Sequence, residues 1–404
     1  MSRILCTSQP FGFGPTSTLL SIAAALKSSA TVEFCGTGTA FTFAQQNSSI
    51  FAKVTETAAF AAEDLRDFDL VISVMDPVAV FEARRANVPV LLIDAIPWFW
   101  DWRARLCEAD HVQGRTAQQL LSSVCSEDIL ALAETKPHDL MIYAYEWADA
   151  VATQGQADLR LLSSAARTHT STVGAILNPA KQRTGTGTGP AVVSLSGTLS
   201  PINGHESARR YVDVVSHLIE ASMDSSALLF TGHPYSVSML KDRGYRAEFL
   251  DSATMSAHIS RAPFLLAPAG MTTTLEAVRS GTPIGFLPEW NGSQASGHAY
   301  LSSPNKGAFP SVLFHSLLGL DDCAEADVLA QQAYSRLNCS KDVLDETLKR
   351  FQQVVRQLAI DGDAIAAMQA TNIEELFGGF NGAHEVVRIA NGIMSNRNIS
   401  DRAA

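Results

Sequence analysis

"PAGMTTTLEAVRSGTPIGFLPEWNGSQ", residues 268–294, decides how the rest of this chain is read. A short apolar run ends at Pro268, Gly270 lets backbone come close, and Thr272, Thr273 and Thr274 open a helical pattern. The unpaired N–H groups of such a helix start, with the positive end of its dipole, favour a phosphate. One turn on, Glu276 is spaced to accept hydrogen bonds from a ribose diol. Gly281, Pro283 and Pro288 then carry the chain to a second loop that ends at Gln294. Threonine caps on an ordinary strand–turn–helix are the alternative for the same residues.

Outward from this stretch, short apolar runs alternate with helical patterns, the signature of parallel sheets wrapped by helices. "RILCTS", "TVEFCG", "DLVISVM" (69–75), "PVLLID" (89–94) and "TSTVGAIL" (170–177) read as strands of a first unit, and "DLMIYAYEWADAV" as a further strand or helix start. The Gly/Thr-rich "NPAKQRTGTGTGP" (178–190) has no apolar periodicity and reads as a linker. The alternation then restarts with "AVVSLSG", "ALLFTG", "FLLAPAG" and "PIGFLP", before long helical stretches over 325–358 and 362–376. The expected layout is a domain over 1–177, the linker 178–190, a second domain over 191–358, and helices with a fraying tail over 359–404. Ligands of doubly wound sheets sit beyond the carboxyl ends of the strands, where the loops "GFGP" and "SGTLS" both lie.

At 404 residues the chain is long for one core. A net charge of −11 without a basic run argues against nucleic acid as the main partner. The six cysteines are scattered, with no CxxC pair, and are expected to be reduced thiols. No run reaches the ~18–20 apolar residues of a membrane span, and "MSRILCTS" opens on a strand without a cleavable apolar segment, so the expected location is the cytoplasm. "DGD" (361–363) lies among helices, away from both glycine loops, and is not read as a metal motif.

The 268–294 stretch resembles the donor-nucleotide motif of GT-B glycosyltransferases, the superfamily of the UDP-glycosyltransferases. The resemblance implies two Rossmann-like domains facing each other across a cleft, a UDP-sugar as co-substrate, a small acceptor, and no metal or other cofactor. It puts Gly270, Thr273 and Thr274, with Thr272 beside them, at the pyrophosphate, Glu276 at the ribose and Gln294 at the transferred sugar. "VVSLSGTLSP" (192–201) resembles the first strand and loop of the nucleotide domain, making Ser196, Gly197 and Thr198 further phosphate donors. Backbone near Leu250 would hold the uracil.

Related transferases often carry Gly-His-x-x-Pro in the first loop, where the histidine is the general base. Here "SQPFGFGPTSTLLSIAAALK" (8–27) puts Pro15 at that position. Proline suits a first helical turn, and Gly12, Phe13 and Gly14 keep a loop able to meet the acceptor, but nothing in it abstracts a proton. The candidate catalytic carboxylates are therefore Asp76, which follows a strand and is alternatively a helix cap before Pro77, and Asp94, which ends "VLLID". Glu146 is a weaker third, and His111, His138 and His169 are placed by no motif.

"DAIPWFWDW" (94–102) holds three of the five tryptophans. Trp98 and Trp100 either form an aromatic acceptor wall, flanked by Asp94 and Asp101, or pack the loop or a dimer contact. Together "PFGFGP", "IDAIPWFWDW" and "YAYEW" resemble cytosylglucuronate and hydroxymethylcytosylglucuronate synthases, which attach glucuronate to a cytosine. The expected reaction is an inverting transfer. The alternatives are a nucleotide-sugar 2-epimerase of the same fold and a nucleotide-binding relic without turnover.

Overall fold

In a computed structural model the described residues are 1–57, 62–100, 119, 121–122, 125–126, 128–130, 137–156, 164–178, 187–199, 204–314 and 341–403. Near-continuous apolar runs make the central strands, as expected for sheets covered on both faces. The first sheet is built from β1 (Ser2–Ser8), β2 (Ala30–Gly36), β3 (Lys53–Glu56), β4 (Leu70–Val74), β5 (Val90–Asp94), β6 (Ala150–Gln154) and β7 (Thr170–Val173). Its strand order is β3-β2-β1-β4-β5-β6-β7, and all pairings are parallel, with Ile4 opposite Leu70 and Leu91 opposite Ala150. The order reverses direction between β1 and β4, which is the switch point where such sheets bind ligands.

Helices α1 (Gly14–Leu26), α2 (Gly38–Gln46), α3 (Ala62–Leu65), α4 (Pro77–Arg85), α5 (Pro137–Trp147) and α6 (Ser164–Thr168) connect these strands. α1 buries Leu19, Leu20, Ile22, Ala23 and Leu26 at helical spacing, and with them the small polar residues Thr16, Ser17, Thr18 and Ser21. Pro15 sits in its first turn, where a missing N–H costs nothing. α4 starts on Asp76, whose Oδ1 accepts from the Ala79 N–H at 3.3 Å, followed by Pro77 in the first turn.

The second sheet contains β8 (Ala191–Ser194), β9 (Leu228–Thr231), β10 (Ala247–Glu248), β11 (Leu265–Ala267) and β12 (Ile284–Phe286), in the order β10-β9-β8-β11-β12, again all parallel. Its helices are α7 (His205–Glu220), α8 (Pro234–Asp242), α9 (Ser252–Ile259), α10 (Met271–Arg279), α11 (Gly292–Leu301) and α12 (Lys341–Phe377). α7 is strongly amphipathic, and its Tyr211, Val212, Val215, Leu218 and Ile219 join Phe230, Phe351 and Leu358 in one core. α12 breaks at Asp361 (φ −111°, ψ 18°), inside the "DGD" stretch.

The chain divides into two compact units: Met1–Pro10, Pro15–Asn178 and Phe377–Ala404 form one, and Phe11–Gly14 and Pro179–Leu376 the other. Thus α13 (Gly382–Ala403) belongs to the first unit, and the tail expected to fray is helical as far as Ala403. Linker residues 179–186, the helical pattern over 325–340 and the residues Asp101, Trp102 and His111 lie outside the described residues. Gly187 and Gly189, at the end of the linker, pack on Pro263 and Arg261, and the Gly189 N–H donates to the Arg261 carbonyl at 3.0 Å. Among the described residues no helix is long and apolar enough to cross a membrane.

Candidate active site

The second unit gathers its loops at the carboxyl ends of β8, β9 and β11, beside its own switch point. Gly270 is the N-cap of α10, in extended backbone, and no side chain caps that helix. The three threonines that follow differ. Thr274 is fully buried and its hydroxyl donates back to the Gly270 carbonyl at 2.8 Å. Thr272 is buried and its Oγ1 donates to the Gly14 carbonyl at 3.3 Å. Thr273 is the one that stays partly exposed at the helix start.

Glu276 lies one turn further on, buried, hydrogen-bonded to the Ser256 hydroxyl of α9, and burial pushes its carboxyl up to about 7. Gln294 is buried too, and its Oε1 accepts from the Trp290 N–H at 2.5 Å, so that end of the amide shapes the loop. Leu250 is buried just ahead of Asp251, which caps α9 by accepting from the Thr254 N–H at 2.9 Å.

After β8 the backbone makes a sharp turn at Ser196, whose φ of +55° is in the left-handed region that side chains rarely adopt. The turn brings Ser196 Oγ to 4.0 Å from where a Cβ on Gly270 would stand. Gly197 has no room for a side chain: a Cβ there would come within 2.6 Å of the Gly12 Cα. The Thr198 hydroxyl makes a short hydrogen bond with Ser236 and is buried. The 11–14 segment therefore belongs to the second unit, with the Phe13 ring between His233 (5.9 Å between centroids) and Phe249 (5.8 Å).

In the first unit the two candidate carboxylates separate clearly. Asp76 follows Met75, a non-glycine residue at φ +56°. It is partly exposed, accepts from the Thr7 hydroxyl at 2.6 Å through Oδ2, and caps α4 through Oδ1. Burial of the carboxyl raises its pKa, against the pull of the Thr7 and backbone hydrogen bonds. The cap and the strand-end placement considered as alternatives are both present.

Asp94 is fully buried. Its Oδ2 accepts from the Trp100 indole N–H and from the Tyr145 hydroxyl, each at 2.7 Å, and its Oδ1 from the Ile96 N–H at 3.0 Å. Burial lifts its carboxyl to about 6 in spite of those donors. This geometry makes Asp94 the buckle of the 95–100 loop. Trp100 is part of that buckle and is buried, whereas Trp98 and Phe99 remain partly exposed.

Glu146 sits partly buried on α5, and His169 Nε2 is 3.1 Å from the Tyr145 carbonyl oxygen, a structural position. Among the described residues no group of three or more His, Cys, Asp or Glu is placed to hold a metal ion. Thr7, Tyr145, Ser256 and His233 were not singled out from the sequence. Only His233 carried a signal there, standing between a strand end and a proline in "TGHP".

No protein-family model matches this chain, and no curated protein matches it. Solved structures do. The spinosyn forosaminyltransferase SpnP is similar over 98% of this chain and 99% of its own, at a TM-score of 0.53 and 14% identity. The spinosyn rhamnosyltransferase SpnG is similar over 97% and 100%, at 0.52 and 12%. At such identity the likeness is one of fold, and the fold is GT-B, the α/β architecture of these glycosyltransferases.

Proposed function

We propose that this chain is a glycosyltransferase that takes a sugar from a nucleoside diphosphate sugar, UDP-linked in the first instance, and passes it to a small acceptor with inversion. The observation that carries the reading is the meeting of the left-handed Ser196 turn, the uncapped start of α10 and buried Glu276 at one end of the second sheet. A diphosphate suits the first two, and a ribose diol suits the third. The shared fold supports it.

In this reading the second unit holds the donor. The α10 amides, the Thr273 hydroxyl and the Ser196–Thr198 loop take up the charge that develops on the departing diphosphate. This needs no metal, and chelator should leave turnover unchanged. The first unit supplies the base. An acceptor N–H or O–H attacks the anomeric carbon, the bond from that carbon to the diphosphate oxygen breaks, and the acceptor's proton passes to Asp76. Asp94 holds the loop that carries Trp98 and Phe99.

Those two partly exposed rings favour a flat acceptor, and a cytosine-type base receiving glucuronate is the narrower proposal. The test is acceptor-dependent release of nucleoside diphosphate from UDP-glucuronate, UDP-glucose, UDP-N-acetylglucosamine and a dTDP-sugar, each with and without cytosine. The dTDP-sugar is included because SpnG has been solved with thymidine diphosphate. Release from one donor with cytosine supports both levels of the proposal. An epimerised donor without release would replace the transferase with an epimerase.

A further inference from the structure

His233 stands two residues past the end of β9 and caps α8, and three of its features are fixed by the structure. Its Nδ1 accepts from the Tyr235 N–H at 3.2 Å, which caps α8 and leaves the ring hydrogen on Nε2. Its own N–H donates to the Ser196 carbonyl at 3.1 Å, tying it to the left-handed turn. The Phe13 ring stacks on it, with 27° between the planes, so the imidazole cannot swing freely.

The Nε2–H makes no hydrogen bond within the protein among the described residues, and the histidine is only partly buried. Burial, with His205 nearby, holds the imidazole down to about 4, so the free protein presents a neutral donor at ordinary pH. Nε2 carries a hydrogen in either protonation state, so the ability to donate does not depend on the charge.

We propose that His233 is a ligand of the nucleotide's diphosphate, donating from Nε2 to a phosphate oxygen beside the Ser196–Thr198 loop. This rests on the donor-site reading above and adds to it a residue that reading did not contain. The imidazole is held at the carboxyl end of β9, the strand next to β8 and hence beside the switch point of the second sheet. Glycine at 232 lets the approach happen, since a Cβ there would stand 3.3 Å from the Ser196 oxygen and 3.2 Å from the Leu195 Cβ.

Two isosteres separate the two ring nitrogens. In His233→Asn the side-chain oxygen replaces Nδ1 and keeps the cap, but nothing reaches the Nε2 position. In His233→Gln the terminal amide replaces Nε2 and the cap is lost. Calorimetric titration of the full chain with UDP and with uridine should give UDP affinity about 10- to 100-fold weaker for the asparagine variant. Uridine affinity should be unchanged, and the glutamine variant should stay near wild type.

UDP affinity equal to wild type in the asparagine variant, or equal losses for UDP and uridine, would overturn the proposal. Wild-type protein that binds neither UDP nor dTDP would overturn the donor-site reading itself and this proposal with it. Should the asparagine variant fail to fold, the His233 Nε2 resonance of the wild-type protein, assigned through the glutamine variant, decides. It must shift with UDP and not with uridine, and the reverse would sink the idea.

Discussion

The Thr7 hydroxyl on β1 donates a 2.6 Å hydrogen bond to Asp76 Oδ2 at the end of β4, across the switch point of the first sheet. Thr7 is fully buried, so the bond is sheltered from water, and the left-handed Met75 just before Asp76 fixes where the carboxylate stands. Backbone of that kind costs about 1–3 kcal/mol and persists where its surroundings over-determine it. In the proposed role of base Asp76 must be ionised, and its raised pKa would then set the acid limb of kcat/KM. Asp76→Asn should lower kcat by roughly 10²–10⁴ with little change in stability. Thr7→Val removes a stabilising donor, so the acid limb should move to higher pH, and Thr7→Ser should restore it. A limb that stays put in Thr7→Val would remove Asp76 from the role of base.

Asp94 should behave differently. Asp94→Ala removes the buried carboxylate that accepts from the Trp100 indole N–H and the Tyr145 hydroxyl. The expected cost is on the order of 2–4 kcal/mol, read from the urea midpoint. Any loss of turnover should come with that loss of stability and should leave the pH profile of the surviving enzyme where it was.

Glu276 would link the proposed donor site to pH. Its folded pKa is lifted from 4.5 to about 7. Between those values the folded chain holds a proton that the unfolded chain has released, so stability falls as pH rises from about 4.5 to about 7 and is level above. Glu276→Gln lacks that slope and should be the more stable protein above pH 7, by on the order of 3 kcal/mol. Uridine, which carries no phosphate to titrate, should bind wild type more tightly as pH rises through 7, because the ionised carboxylate is the better acceptor for the diol. The glutamine variant should bind it weakly and evenly across the range.

The carboxyl-terminal helix is held by backbone. The Ala175 N–H donates to the Gly379 carbonyl at 2.9 Å, the Gly382 N–H to the Ala175 carbonyl at 3.1 Å, and the Gly174 N–H to Glu385 Oε2 at 2.8 Å. A Cβ at 382 would stand 2.1 Å from the Gly174 oxygen. Gly382→Ala should therefore destabilise the first unit by about 1–3 kcal/mol, with faster amide exchange at Gly174 and Ala175.

What the sequence made legible follows from where burial is continuous. Runs such as "VLLID" and "LVISV" are buried on both faces and announce themselves as strands. β3 did not, because "KVTE" is an edge strand with Lys53 and Glu56 exposed, and neither did β10, which is two residues long. Residues 359–404 read only as helices with a fraying tail, and nothing in them tells which unit the 382–403 helix covers. At the site, the strand-end position of Asp94 was legible, while its partner Tyr145 lies on a distant helix and carries no local signature. The threonine run read as three equivalent phosphate donors, and only packing distinguishes Thr273 from the two that bond backbone carbonyls.

The most direct test of the central claim is nucleoside diphosphate release from the panel of UDP- and dTDP-sugars, with cytosine as acceptor, for wild type, Glu276→Gln and Asp76→Asn. The account predicts acceptor-dependent release by wild type, loss of donor affinity in Glu276→Gln, and retained donor affinity with a collapsed kcat in Asp76→Asn. No release from any donor by wild-type protein, together with no UDP- or dTDP-induced rise in Tm, would contradict it.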